Sequence, residues 1–511
     1  MKIYTAKQLY EADRATVEKQ EITPIELMER AAGQVYQWLN NQMQGAKVPI
    51  HVFCGIGNNG GDGLALGRML LQNGYTVKCY VVNYSEKRSK CFLINYDRIK
   101  NVNNDWPLLM KSEADFPELK KEDIVIDAIF GIGLNRPLKD WVQNLIKHIN
   151  TSKAYILSID IPSGMFIDTP TPDKEAVIKA NFTLTFQAPK LVFFLPETGV
   201  FTQNLDILNI GLDREYLSKT KTDVLWILKE DALAMYKPRE KFSNKGTYGH
   251  SLIVGGSYGK MGAVTLAATA CLRAGAGKVT AFIPKCGYSI LQTAVPEAMV
   301  ITGTDENQLT GLTWDIQPDV IGVGIGMGTS AETEKGFLEF LKVQKKPMVI
   351  DADAINILAK NPKAIKDIPI KSVLTPHPGE LERLIGKWTD DFDKLDKVKK
   401  LSKKHDLIFV LKETHTITVY KENMYINSTG NQGMATAGTG DVLTGILTGL
   451  LSQGYDPLVA AIFGVYLHGS AGNIAVETKG YQALIAGDLL SHIGDAYVAL
   501  FQRDEPVDQD S

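Results

Sequence analysis

Four consecutive residues near the C-terminus, Gly438-Thr439-Gly440-Asp441, combine an anion cradle with a base. The glycines let successive backbone N–H groups converge on one anion. The apolar run from Val442 to Leu451 predicts that they do so at a helix start. Asp441 then stands beside that anion, with a carboxylate able to take a proton from a hydroxyl. Stabilising a migrating phosphoryl group while deprotonating its acceptor is what phosphoryl transfer to an alcohol demands. An Asp at a helix start is also a common cap, but its place directly behind two glycines favours catalysis.

Further residues of this kind lie upstream. Gly255-Gly256-Ser257 and the glycines from Gly322 to Gly328 each follow a predicted strand, as tight turns or as points where backbone approaches a ligand. In Thr375-Pro376-His377-Pro378-Gly379-Glu380 the flanking prolines fix the direction of His377, which favours substrate contact. Glu380 is compatible with orienting neighbours or a metal, and equally with the first turn of a helix. Lys412-Glu413-Thr414-His415-Thr416 offers a cation and hydroxyls to a phosphate.

A second set lies in the first half of the chain. Gly55-Ile56-Gly57-Asn58-Asn59-Gly60-Gly61-Asp62-Gly63 has the GxGxxG spacing, a weak signal by itself. No acid closes the next strand at Val82-Asn83, so use of NAD as a redox cosubstrate is disfavoured. Recognition of a nucleotide's phosphates as part of a substrate survives. Asp127 and Asp160 each end a predicted strand, as turn-formers or as site residues. Asn59, Asp127 and Ser163 offer oxygen ligands alone, which suit a hard cation and not zinc.

The elements that must position these residues follow from apolar periodicity. Residues 8–44 read as helical, with Thr23-Pro24 starting a second helix. Strands are predicted at 50–54, 76–82, 124–128, 155–159 and 182–186, alternating with helices. A polar stretch from Asp213 to Asp223 follows. The alternation then resumes with strands at 251–255, 278–283, 320–323, 348–351, 372–375 and 408–412, and a hairpin over 417–427. The expected division is 1–214, a linker over 215–224, a second domain over 225–504 and an acidic, disordered tail over 505–511.

A chain of 511 residues is too long for one ordinary core. Its 44% apolar content and net charge of −3 give no basic excess that would call for nucleic acid. Five cysteines without a CxxC pair predict reduced thiols in a cytoplasm. No uninterrupted apolar run approaches the about 20 residues of a bilayer span, so no membrane partner is expected. A homo-oligomer is the expected assembly.

From Tyr248 to Gly487 these motifs, taken with Met261-Gly262-Ala263, resemble the ribokinase-like superfamily, and within it the NAD(P)H-hydrate dehydratases. The resemblance implies that Ala263, Gly326, His377 and Asp441 contact the hydrated nicotinamide nucleotide. Lys412, Glu413, Thr414, His415 and Thr416, with Gly438, Thr439 and Gly440, would hold an adenosine phosphate. Ala437 replaces a usual glycine and leaves the anion-binding glycines intact.

Residues 8–210 resemble the YjeF N-terminal family of NAD(P)H-hydrate epimerases through Asn58-Asn59-Gly60-Gly61-Asp62. That resemblance implies hydrate binding by Asn58, Asn59, Gly60, Gly61 and Asp62. It adds Gly131, Ile132, Gly133, Leu134, Asn135, Arg136 and Pro137, with Asp160, which is also the candidate catalytic acid/base. It implies K+ on Asn59, Asp127 and Ser163. Ile132 stands where many relatives have Thr, which removes one hydroxyl but not the backbone N–H.

The implied fold is α/β: a Rossmann-like three-layer domain followed by a ribokinase-like three-layer α/β domain. The implied activity is bifunctional repair of hydrated NAD(P)H, epimerising both C6 forms and dehydrating the S form. ADP is the expected phosphoryl donor, in preference to ATP, with Mg2+. The alternative is a hydroxymethylpyrimidine or sugar kinase carrying a non-catalytic N-terminal binding domain.

Overall fold

Two reciprocal caps open the chain in the computed structural model, which describes residues 1–102 and 106–502. Thr5 starts α1 (Ala6–Lys19) by accepting from the Gln8 N–H, while the Gln8 side chain returns the bond. Thr23 and Glu26 do the same for α2 (Pro24–Met43). The chain then alternates through β1 (Ile50–Cys54), α3 (Asn58–Gln72), β2 (Val77–Val82), α4 (Lys90–Lys100), β3 (Leu108–Met110), β4 (Ile124–Ala128), α5 (Asp140–Thr151), β5 (Tyr155–Ile159), β6 (Phe182–Phe186) and β7 (Leu205–Leu208). These seven strands form one sheet in the order β3-β2-β1-β4-β5-β6-β7, parallel throughout. The order reverses between β1 and β4, opening a crevice at the strand C-termini where ligands bind in such sheets.

β3 and β7 add to the five strands predicted from sequence. Both are edge strands with little buried surface, so their apolar signal is weak. The stretch read as a linker is a correction: residues 214–219 form α6 (Arg214–Lys219), capped by the Asp213 carboxylate on the Tyr216 N–H. Tyr216 and Leu217 pack against Ala12, Leu27, Ile210 and Leu212, which burial requires and composition concealed. One unit is Lys2–Thr222 with Asp390–Phe392, and the other is Met1 with Asp223–Thr389 and Asp393–Ser511.

The second unit contains β8 (Val224–Ile227), α7 (Lys229–Met235), β9 (His250–Val254), α8 (Met261–Arg273), β10 (Lys278–Ile283), α9 (Tyr288–Ala294), β11 (Met299–Thr302), β12 (Val320–Val323), α10 (Ala331–Val343) and β13 (Met348–Ile350). It continues with α11 (Ala352–Lys360), β14 (Val373–Leu374), α12 (Pro378–Ile385), α13 (Asp391–His405), β15 (Ile408–Leu411), β16 (Ile417–Tyr420), β17 (Asn423–Asn427), α14 (Thr439–Ser452), α15 (Pro457–Lys479) and α16 (Ala486–Ala499). Ten strands run in the order β11-β10-β9-β12-β13-β14-β15-β16-β17-β8. Only the pairings of β16 with β15 and β17 are antiparallel among these described strands. β8, whose first residue fell in the expected linker, completes the edge by pairing with β17.

α8 and α14 touch through small residues. A Cβ on Gly445 would meet the Ala267 carbonyl oxygen at 2.2 Å, and one on Gly449 the Cys271 carbonyl oxygen at 2.7 Å. The small-residue helix predicted near 262–274 therefore seats α14, the helix that carries Asp441. α15 is long and apolar enough to cross a membrane by length and composition, yet 72% of its apolar window is buried, as in a core helix. All five cysteines are free thiols. The expected tail over 505–511 lies outside the described residues.

Candidate active sites

Asp441 occupies the first turn of α14, behind Gly438 in a left-handed conformation (φ 90°) with no side-chain cap. The N–H groups of that turn are therefore not satisfied by a capping side chain, the condition for anion binding. Glycine is required at 438 because a Cβ there would also lie 2.6 Å from Leu266. The turn is braced from behind: His468 donates from Nε2 to the Thr439 carbonyl oxygen at 2.9 Å, and the Thr439 hydroxyl reaches the Met434 and Thr436 carbonyls. Burial pushes the His468 imidazole down to about 4, so it is neutral near pH 7.

The Asp441 carboxyl is raised to about 7, first by burial and then by the charge of Asp351, with smaller contributions from Asp353 and Glu380. Lys412 opposes them. Its ammonium bonds the Asp351 carboxylate at 2.8 Å and would sit 3.3 Å from a Cβ on Gly440, so it stands over the anion cradle. Asp351 follows β13 directly, almost fully buried, and also accepts from the Thr444 hydroxyl at 2.7 Å. A base near neutrality beside a fixed cation and uncapped amides can deprotonate an alcohol and hold a phosphoryl group.

His377 caps α12. Its Nδ1 accepts from the Gly379 N–H at 3.1 Å, which leaves Nε2–H for the Glu380 carboxylate 3.2 Å away. Glu380 also accepts from the His377 N–H at 3.0 Å and is nearly buried, so it orients His377 and occupies the first helical turn at once. Gly326 (φ 58°) packs beside Ala263, whose Cβ would be 3.3 Å from a Cβ at 326. The Ser257 hydroxyl fastens this corner by bonding the Gly326 carbonyl oxygen at 2.8 Å.

The run after β15 divides. Lys412 faces Gly440, whereas Glu413 is ion-paired with the buried Lys394 at 2.5 Å. Thr414 is exposed; burial lowers the pKa of the His415 imidazole, which lies against β17. Glu413 is thus turned to structural use. Asp351 and Thr444 were not among the residues singled out from sequence. Asp351 ends a predicted strand just as Asp127 and Asp160 do, and that signal would have found it.

In the first unit a cleft of about 350 Å³ opens at the β1/β4 reversal. Asn58, Asn59 and Asp62 line it from α3; Gly131, Ile132, Gly133, Leu134, Asn135 and Arg136 line it from the loop after β4; Asp160 closes it after β5. Gly60 and Gly61 are required by packing: a Cβ on Gly60 would lie 1.8 Å from the Gly55 carbonyl oxygen, and one on Gly61 2.7 Å from the Met28 sulfur. Gly57 starts α3 with no side-chain cap. Pro137 is not among the residues lining this cleft.

Asp160 is a non-glycine residue at φ 67°, backbone strain of the kind that collects at functional sites. Its Oδ1 accepts from Lys190 Nζ at 2.5 Å, the Phe186 N–H at 3.2 Å and the Thr185 hydroxyl at 3.3 Å. All three donors converge on one oxygen, leaving Oδ2 for the cleft. Lys190 is fully buried and had no sequence signal. Tyr10 and Asp13, from α1, also face this cleft. They were missed because about 45 residues separate them from the glycine loop.

Asp127 lies behind the cleft, fully buried. It accepts from the Ser163 N–H and the Ser158 hydroxyl at 2.8 Å each, from the Ser163 hydroxyl at 2.5 Å and from the Ile129 N–H at 3.3 Å. Burial raises its pKa, opposed chiefly by the Ser163 bonds. Every one of these donors is neutral. Asn59 is buried against Gly131, and its amide nitrogen has no partner among the described residues.

Comparison with known proteins matches residues 24–192 to the family described as YjeF-related protein N-terminus, and residues 251–494 to NAD(P)H-hydrate dehydratase. Curated relatives named bifunctional NAD(P)H-hydrate repair enzyme Nnr align along nearly the whole chain. The one from Moorella thermoacetica is 35% identical, covering 96% of both chains. The chain belongs to the bifunctional NAD(P)H-hydrate repair enzyme family. Members from Coxiella burnetii and Escherichia coli are 34% and 33% identical, each over 96% of this chain and over 98% and 92% of theirs. In this family member the two matched families fall in the two units described above, residues 24–192 in the first and 251–494 in the second.

Proposed function

We propose that the second unit dehydrates the S form of hydrated NAD(P)H at the expense of ADP, and that the first unit epimerises the R and S forms. The observation that carries the reading is Asp441: a carboxyl brought to about 7 at the uncapped start of α14, with the Lys412 ammonium beside it.

Hydroxide is a poor leaving group, so elimination needs the C6 hydroxyl converted to a phosphate ester. Asp441 takes the hydroxyl proton, the oxygen attacks the terminal phosphorus of ADP, and the bond to AMP breaks. Lys412 and the amides of residues 438–441 neutralise the migrating charge. The ring nitrogen's lone pair then expels phosphate from C6, a proton leaves C5, and the reduced ring is restored. The balance is hydrate plus ADP giving NAD(P)H, AMP and phosphate. His377, held by Glu380, and the Ala263/Gly326 corner would contact the hydrated nucleotide, while Lys412 and residues 438–440 would hold the phosphates.

The described residues contain no group of three metal-ligating side chains, so Mg2+ would be carried on the nucleotide's phosphate oxygens. Bound there, it would supply charge neutralisation. At the first site the donors fit K+. Asp127 is a buried carboxylate bonded only by neutral groups, and Asn59 is a buried amide with an unpartnered atom. The Asn59 amide oxygen would be the ion's ligand. With Ser163 these residues would hold the ion, which would supply fixed positive charge near the substrate. Five free thiols fit a reducing cytoplasm.

The kinase alternative fits poorly, because the relatives named as repair enzymes match both units and the first unit has a cleft with a strained carboxylate. The test is Asp441→Asn supplied with S-hydrate and ADP. It should lose about 10²–10⁴-fold in rate, the usual worth of a general base. Net accumulation of a phosphorylated product by the wild type would instead identify a kinase.

A further inference from the structure

Epimerisation at C6 needs a proton taken from one atom and another given, and Asp160 supplies only one of these groups. Its Oδ1 is saturated by Lys190, Thr185 and Phe186, so a single oxygen faces the cleft. Lys190, fully buried, pairs with that carboxylate through the same Oδ1. Four other acidic groups line the same cleft: Tyr10, Asp13, Asp62 and Tyr84.

They are not equivalent. Asp62 sits in the second turn of α3, nearly buried, and burial, then the charge of Asp160, holds its carboxyl well above the usual range. Burial raises the Tyr10 and Tyr84 phenols above their already high values, so both are poor donors near neutrality. Asp13 is only partly buried, on the inward face of α1. It lies where the polar cleft meets a more apolar one of about 660 Å³ formed by α1, α2, α3 and α4, which places it against whatever fills either space. No described residue donates a hydrogen bond to its carboxyl group. Burial, then the charge of Asp160, brings it to about 6, with Lys190 opposing. Arg14 and Glu18 line the apolar side from the same helix, Cys91 does so from α4, and Arg136 faces the polar side.

We propose that Asp13 is the general acid of the first site, working opposite Asp160. The proposal rests on the epimerase reading of this unit. The free oxygen of Asp160 removes the proton from the C6 hydroxyl, the C6–O bond becomes a carbonyl, and the C6–N1 bond breaks. Its electron pair stays on N1, which takes the proton of Asp13. After the aldehyde turns over, N1 adds to the other face of C6. The N1 proton returns to Asp13, and the new hydroxyl takes its proton back from Asp160. No oxidant or further reactant is consumed.

The test supplies the whole chain with mixed hydrate epimers and ADP, following the reduced-nicotinamide absorbance. The S form is consumed in a first phase, and the R form in a second phase set by epimerisation. Asp13→Asn should slow the second phase about 100-fold or more, with the first phase as internal control. Asp13→Glu should recover a substantial part of it. In the wild type, kcat/KM of the second phase should fall as pH rises through about 6, and Asp13→Asn should lack this limb. A wild-type second phase in Asp13→Asn, or an Asp13→Glu variant as slow as Asp13→Asn with unchanged thermal unfolding, overturns the proposal. A wild-type limb that persists in Asp13→Asn also overturns it. A wild-type second phase no faster than protein-free epimerisation would instead overturn the epimerase reading itself.

Discussion

Asp441 and Lys412 carry the residue-level argument, and each has a separable consequence. A base must be ionised, so kcat/KM of dehydration should rise with pH through about 7 and level off above it. Asp351→Asn removes a charge that raises Asp441 and should move that limb to lower pH; a pH profile of the variant measures this. The same raised carboxyl has a stability signature. A group whose folded-state pKa is elevated contributes stability that is fully present below its unfolded value and lost as pH rises through the folded one. Asp441→Asn should therefore melt like the wild type near pH 4 and above it at pH 8. Lys412→Met strands the buried Asp351 carboxylate and should cost about 3–5 kcal/mol by denaturant titration. Adding Asp351→Asn should restore most of that stability but not the activity.

At the level of elements, α14 is positioned by the glycines on its α8 face. Gly→Ala in an open helix gains up to about 1 kcal/mol. At Gly445 the added Cβ meets a backbone oxygen that cannot turn aside, at 2.2 Å. Gly445→Ala should instead lower stability by about 1–3 kcal/mol, and it should slow dehydration by shifting the first turn of α14. Calorimetry and rate measurements on one preparation check both. Much of this architecture was legible beforehand. The central strands read well because they are buried on both faces and nearly continuous in apolar residues, as in β1 and β12. β3, β7, β8 and β11 were not legible, being short edge strands with little burial. α6 was hidden in a polar stretch, since only Tyr216 and Leu217 face the core. The anion loops and Asp441 were visible because glycine and carboxylate types at fixed spacing have few other uses. Asp13, Lys190 and Thr444 were not, because their importance lies in neighbours distant along the chain.

For the whole molecule, two sites on one chain serve one outcome: dehydration consumes the S form, and epimerisation refills it. If each site works on released substrate, a mixture of Asp160→Asn and Asp441→Asn proteins should restore full recovery from mixed epimers. Asp160→Asn alone should stop near half, and Asp441→Asn alone should recover almost nothing. The most direct test of the central claim follows reduced-nicotinamide absorbance and free phosphate together, with pure S-hydrate and ADP, for the wild type and Asp441→Ala. The account predicts one phosphate per coenzyme restored by the wild type and neither signal from the variant. Restoration at the wild-type rate by Asp441→Ala would contradict it.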